Sequence, residues 1–185
     1  MKIINLTADQ SENIEQTARV LIAAFLNTGT PAWKTMESAL EEVQDSLEPY
    51  RISRIALDEH GVVAGWIGGI PEYDGHVWEL HPLAVHPNMQ RRGIGRALVN
   101  DFEIQVCERG GATIMLGTDD EASLTSIGGI DLYPDPLTHL MQIINHSNHP
   151  FTFYQKMGFV LVGVIPDANG FGKPDLLMAK RVGLE

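Results

Sequence analysis

Three groups of residues have types and spacings that could do chemistry. The densest is Gln90-Arg91-Arg92-Gly93-Ile94-Gly95 with Arg96, a basic turn holding two glycines. Glycines let the backbone turn tightly, so several N–H groups can point into one hollow at the start of a helix. Such a hollow binds phosphate through unsatisfied N–H groups and the positive end of the helix dipole. Arg91, Arg92 and Arg96 add charge around it, and a diphosphate is the expected occupant. Glu79 and His81 form the second group. Two apart on a strand, they share a face, where a carboxylate can bind an ammonium group or accept its proton, directly or through water. His81 precedes Pro82, so its backbone can matter as much as its ring. The third group is Asp119-Asp120, at the end of an apolar run. That end of a strand is where α/β sheets take ligands, and the bland alternative is an Asx turn opening a loop.

These residues need elements to hold them. The run from residue 76 to Val85 predicts a strand entering the turn. Beyond it, Ile94, Ala97, Leu98 and Phe102 share one face of a helix that reaches about Arg109, where Gly110-Gly111 closes it. Upstream, residues 2–6 predict a strand. Residues 11–26 and 34–47 predict amphipathic helices, with a break at Thr28-Gly29-Thr30-Pro31 between them. Residues 54–58 and 62–70 predict a hairpin whose second arm ends at Gly68, Gly69 and Pro71. Downstream, residues 113–117 predict a buried strand. The stretch 118–136 is too long for a routine connection and is a candidate functional loop, made acidic by Glu121, Asp131 and Asp135. Residues 137–145 and 151–157 predict short helices, the second opened by His149-Pro150 and stopped by Gly158. Residues 159–165 and 176–181 predict two final strands. This order predicts an α/β fold, a mixed central β-sheet with helices on both faces, in one domain spanning residues 1–185.

Composition narrows the function classes. The net charge of −11 disfavours a nucleic-acid binder and favours a cationic ligand, although acidic charge also serves solubility. No apolar run approaches membrane-spanning length, and Met1-Lys2-Ile3-Ile4-Asn5 has no signal-peptide layout, so a cytoplasmic protein without a membrane partner is expected. The single cysteine, Cys107, excludes an internal disulfide and reads as a packed thiol. The histidines form no ligand-like cluster with carboxylates, so no metal site is expected.

The turn is spelled Q-x-x-G-x-G. Leu98 fills the third glycine position of a dinucleotide fingerprint, and no Gly-Lys-Ser/Thr follows as in a nucleotide-triphosphate loop. The strand, Q-x-x-G-x-G turn and helix together resemble the acetyl-CoA-binding motif of the GNAT acetyltransferase superfamily. Phe153-Tyr154-Gln155-Lys156-Met157-Gly158-Phe159 resembles its second motif, F-Y-x-k-x-G-F, in the right order and at the right separation. The resemblance spans nearly the whole chain. A narrower likeness rests on Trp78-Glu79-Leu80-His81-Pro82-Leu83, Leu116-Gly117-Thr118-Asp119-Asp120 and Asp131-Leu132-Tyr133. It also rests on Gly163-Val164-Ile165-Pro166-Asp167-Ala168-Asn169-Gly170 and Lys173-Pro174-Asp175-Leu176-Leu177-Met178-Ala179-Lys180. Together these look like the aminoglycoside 6′-N-acetyltransferases of bacterial antibiotic resistance.

The resemblance implies a GNAT fold with a splayed acetyl-CoA-binding strand pair, and acetyl-CoA as co-substrate. Its pyrophosphate would lie on the turn Gln90, Arg91, Arg92, Gly93, Ile94, Gly95 and Arg96. Its pantetheine would pair with the backbone of Leu83, Ala84 and Val85, the amide near Leu83 donating to the thioester carbonyl. Tyr154 would stand near the sulfur and give a proton to the departing thiolate, or else be an aromatic packed with Phe151 and Phe153. Glu79 and His81 would be catalytic, and Glu79, Asp119, Asp120 and Asp131 would contact the aminoglycoside. Trp33 and Tyr73 are candidates for sugar stacking, or partial core. The implied reaction is direct acetyl transfer to the 6′-amine in a ternary complex, by a homodimer. Two other readings stay open: a GNAT enzyme for another cationic amine, such as a polyamine or a basic protein, and a non-catalytic acyl-CoA-binding sensor.

Overall fold

The computed structural model describes residues 1–26 and 32–183, so the expected break at residues 28–31 lies outside the described residues. Two compact units are distinguished, Met1–Ile114 with Val182–Glu185, and Met115–Arg181.

In the first unit, β1 (Lys2–Asn5), β2 (Ile52–Leu57), β3 (Val63–Glu72) and β4 (Val77–Val85) pair antiparallel in chain order. Three helices pack on them: α1 (Ser11–Phe25), α2 (Met36–Asp45) and α3 (Ile94–Glu108). A capping box starts α2, the Thr35 and Ser38 side chains each bonding the other's backbone N–H. Ala18 and Leu21 of α1 and Ala39 and Val43 of α2 close over Ile55, Trp66 and Ala84 in one apolar cluster. The opposite face takes α3 through its buried stripe Ile94, Leu98, Val99, Phe102 and Val106. Arg54 of β2 also forks onto Asp101 of α3, at 2.7 and 2.8 Å. Helices therefore cover both faces, as the α/β expectation requires.

Two local expectations fail here. The hairpin arm does not end at Gly68 and Gly69, because β3 continues to Glu72 with a register shift between Ile67 and Gly69. A Cβ on Gly68 would lie 2.3 Å from the His81 carbonyl oxygen, and one on Gly69 would lie 2.3 Å from the Phe102 ring. These glycines permit a bulge and a close approach, not a stop. Cys107 is exposed instead of packed, since it lies one position off the buried stripe of α3.

β5 (Thr113–Asp119) begins in the first unit, where Ala112 and Thr113 both donate to the His76 carbonyl. In the second unit the strand order is β5, β7 (Asp175–Arg181), β6 (Val160–Ile165), with β6 and β7 antiparallel. The helices are α4 (Pro136–Met141) and α5 (Phe151–Lys156). Residues 120–135 form the expected long loop, without helix or strand. α4 is shorter than expected because residues beyond it pair with that loop: Ser126 donates to Ile144 and Thr125 bridges Asn145. Among the described residues, no helix is long and apolar enough to cross a membrane.

Candidate active site

The turn after β4 is built to leave its amides open. A short 3-10 turn, Pro87–Met89, follows the strand, and Gln90 folds back so that its side-chain amide donates to the Val85 carbonyl at 3.2 Å. Arg91 and Gly93 then take left-handed φ values of 61° and 86°. Gly93 pays little for that conformation, having no Cβ to clash. The Gln90 N–H still reaches the Pro87 carbonyl, and the Ala97 N–H reaches Gly93. Between them, the N–H groups of residues 91 to 96 find no acceptor among the described residues. Arg91, Arg92 and Arg96 are exposed around these donors. A run of free amides at the N-terminus of a 15-residue helix, ringed by guanidinium groups, fits a diphosphate.

Along β4, Glu79 and His81 are half-buried and alternate with buried Trp78 and Leu80, so the two share a face. The Glu79 carboxylate bonds no donor among the described residues. His81, joined to Pro82 by a cis peptide, lies with its Nε2 3.8 Å from Glu42 Oε1. The other Glu42 oxygen accepts from the Trp33 indole N–H at 3.2 Å, and the Trp33 and His81 rings stand 5.7 Å apart. Glu42 went unrecognised in the sequence. Its signal was its place beside Val43 and three after Ala39, at the edge of the buried stripe of α2. Trp33 is partly buried against the α1–α2 cluster. Tyr73 is 73% exposed, contrary to a core role. Leu83 and Val85 are half-buried, while the Ala84 side chain is fully enclosed, which leaves only its backbone for a ligand.

In the second unit the two neighbouring aspartates part ways. Asp119 is exposed, and its Oδ1 accepts from the Asn169 amide at 2.5 Å. Asp120 is fully buried. Its Oδ1 accepts from the Leu124 N–H, and its Oδ2 from the N–H and hydroxyl of Thr125, at 2.6, 3.0 and 2.7 Å. Asp120 is thus held inside the loop by three donors, the Asx-type alternative to the expected ligand contact in a stronger form. Asp131 is exposed and accepts from the Tyr133 N–H at 2.9 Å. Asp135 caps α4 through the Thr138 N–H and hydroxyl, which hold its carboxyl below the usual range. Tyr154 is half-buried between the Phe153 and Phe159 rings, at 5.1 and 5.7 Å. Burial pushes its phenol well above the usual value, so at neutral pH it is a proton donor. His149, seen in the sequence only as a helix opener, is buried and bonded through both ring nitrogens.

The sequence pattern of the acetyltransferase (GNAT) family matches residues 19–133. A solved aminoglycoside 6′-N-acetyltransferase complexed with coenzyme A is similar at 38% identity. The match covers 98% of this chain and 97% of that one, with a TM-score of 0.90. The aminoglycoside 6′-N-acetyltransferase from Enterococcus faecium is also 38% identical over 98% and 97% of the two chains, with a TM-score of 0.88. An aminoglycoside 6′-acetyltransferase type Ii is 34% identical over 100% and 99%, with a TM-score of 0.76. A search of curated proteins returns no match.

Proposed function

The chain belongs to the acetyltransferase (GNAT) family, and from that premise we propose that it is an aminoglycoside 6′-N-acetyltransferase acting by direct transfer in a ternary complex. One observation carries this reading: the 38% identity, over 98% of the chain, to an enzyme of that activity complexed with coenzyme A. The open amides of residues 91 to 96 support the co-substrate half independently.

Acetyl-CoA supplies the acetyl group as a thioester. The amides from Arg91 to Arg96 hold its pyrophosphate, and the backbone of Leu83, Ala84 and Val85 orients its pantetheine arm. The Leu83 amide polarises the acetyl carbonyl. An amine is mostly protonated at neutral pH, and Glu79, with no donor to its carboxylate among the described residues, takes its proton directly or through water. His81, set by Glu42 and Trp33, borders that carboxylate's face. Tyr154 gives a proton to the departing thiolate. Asp119 and Asp131 bind further ammonium groups of the substrate, and Asp120 keeps the loop in shape. The chain works in the cytoplasm, as one domain per protomer of a homodimer.

The test compares two aminoglycosides, one with a 6′-amine and one with a 6′-hydroxyl, in a thiol-release assay with acetyl-CoA. Turnover of the amine form alone is expected. Equal acetylation of both on another nitrogen would overturn the regiochemistry. Turnover of a polyamine but of neither aminoglycoside would move the enzyme to the other-amine class.

A further inference from the structure

We infer that His149 is a positioning residue for the transfer: its imidazole clamps the end of β5, where Asp119 stands, to the start of α5, which carries Tyr154. The inference rests on the proposed function of that same site. His149 is 1% exposed, and both ring nitrogens are engaged. Nδ1 accepts from the Phe151 N–H at 3.2 Å. Only an unprotonated nitrogen can accept, so the proton sits on Nε2, which donates to the Asp119 carbonyl at 3.0 Å. Burial lowers the imidazole's affinity for a second proton, against the pull of the Asp119 carbonyl and the Asp119 and Asp120 carboxylates.

The ring is held from behind. The Asn145 side chain accepts from the His149 N–H and donates to the His149 carbonyl, both at 2.9 Å. Asn145 also bridges Thr125, whose N–H and hydroxyl are held by Asp120. The chain of contacts runs Asp120, Thr125, Asn145, His149 and back to Asp119. A rotation of the imidazole would release the first amide of α5 and the last carbonyl of β5 together. Tyr154 lies one helical turn beyond Phe151, so the same ring sets the direction of the phenol and of the Asp119 side chain.

The two bonds can be separated. His149→Asn keeps an oxygen where Nδ1 accepts, so the Phe151 amide stays capped, but nothing reaches Asp119. His149→Gln keeps an amide N–H near the Nε2 position but loses the acceptor close to the backbone. The asparagine variant should raise the aminoglycoside KM about tenfold, with kcat within about twofold of wild type. The glutamine variant should lower kcat about tenfold, with KM within about twofold. Aminoglycoside binding by calorimetry should follow the KM values, and nitrogen-15 spectra of the wild-type ring should show the Nε2–H tautomer. The same loss in both variants, no loss in either, a loss that tracks the folded fraction, or an Nδ1–H tautomer would overturn the clamp. Wild-type protein that acetylates no amine would instead overturn the functional reading, and the clamp's catalytic role with it.

Discussion

Asp119 and Asp120 are chain neighbours with the same side chain and opposite surroundings. Asp119 is exposed and shares one oxygen with Asn169, so its charge is available to a cation. Asp119→Asn should raise the aminoglycoside KM about tenfold, the worth of one charge-assisted hydrogen bond, and leave the acetyl-CoA KM unchanged. An unchanged aminoglycoside KM in steady-state assays would remove Asp119 from the substrate site. Asp120→Ala should act on stability, because three loop donors lose their acceptor. Urea unfolding should show a loss of about 3 kcal/mol, and a loss below about 1 kcal/mol would show that the loop is held otherwise. Tyr154→Phe isolates the hydroxyl. If the phenol protonates the leaving thiolate, kcat should fall about 100-fold while calorimetric acetyl-CoA affinity stays the same. Near-wild-type turnover would leave Tyr154 as a packing residue.

The N-terminus of α3 and the start of α5 are the two element ends that the proposed chemistry would use. At α3, Gly93 has φ 86° and open space around its missing Cβ, so its constraint is backbone conformation and not crowding. Gly93→Asp adds a strain of about 1–2 kcal/mol and a negative charge where the diphosphate would lie. Acetyl-CoA affinity should fall at least about 100-fold by calorimetry while the protein stays folded. Unchanged affinity in a folded variant would remove the turn from the co-substrate site. At α5, burial depresses the His149 pKa below its unfolded value of about 6.5. The unfolded chain therefore binds the extra proton more readily. Stability from this group is complete above about pH 6.5 and is lost as pH falls through the lower folded pKa. Tm should drop as the pH is lowered from about 7 to about 5.5, and the slope should be shallower in His149→Asn. Equal slopes in the two proteins would show that His149 does not set this dependence.

At the scale of the whole molecule, the second unit exposes many large apolar side chains. Tyr133, Leu137, Met141 and Ile144 lie in and after the long loop, and Val160, Val162 and Ile165 lie on β6, against which α4 packs. β6 also closes the strand order. Exposed apolar area of this kind on an end strand suits a second copy of the chain and supports the proposed homodimer. Val162→Glu, at a residue 58% exposed, places a charge there without disturbing the core. Sedimentation should give twice the chain mass for wild type and the single mass for the variant. A wild-type protein that is monomeric at micromolar concentration would exclude the dimer.

How much could be read without a structure depended on whether the physics is local. The Q-x-x-G-x-G turn was legible because a left-handed glycine and a helix N-terminus are properties of contiguous residues. The helix bearing Tyr154, the long acidic loop and the helical faces of α1 and α3 followed in the same way, from spacing and punctuation. Gly68 and Gly69 misled because glycine ends strands and also admits neighbours, and only the packed Phe102 and His81 distinguish the two. Asp119 and Asp120 were equivalent as letters. Their separation came from which of them faced the amides of Leu124 and Thr125. Glu42 and His149 gained meaning from partners distant in the chain, Trp33 and His81 for one, Asp119 for the other. A side chain's burial and hydrogen bonds depend on residues brought near it by folding, so those roles were decided by tertiary structure alone.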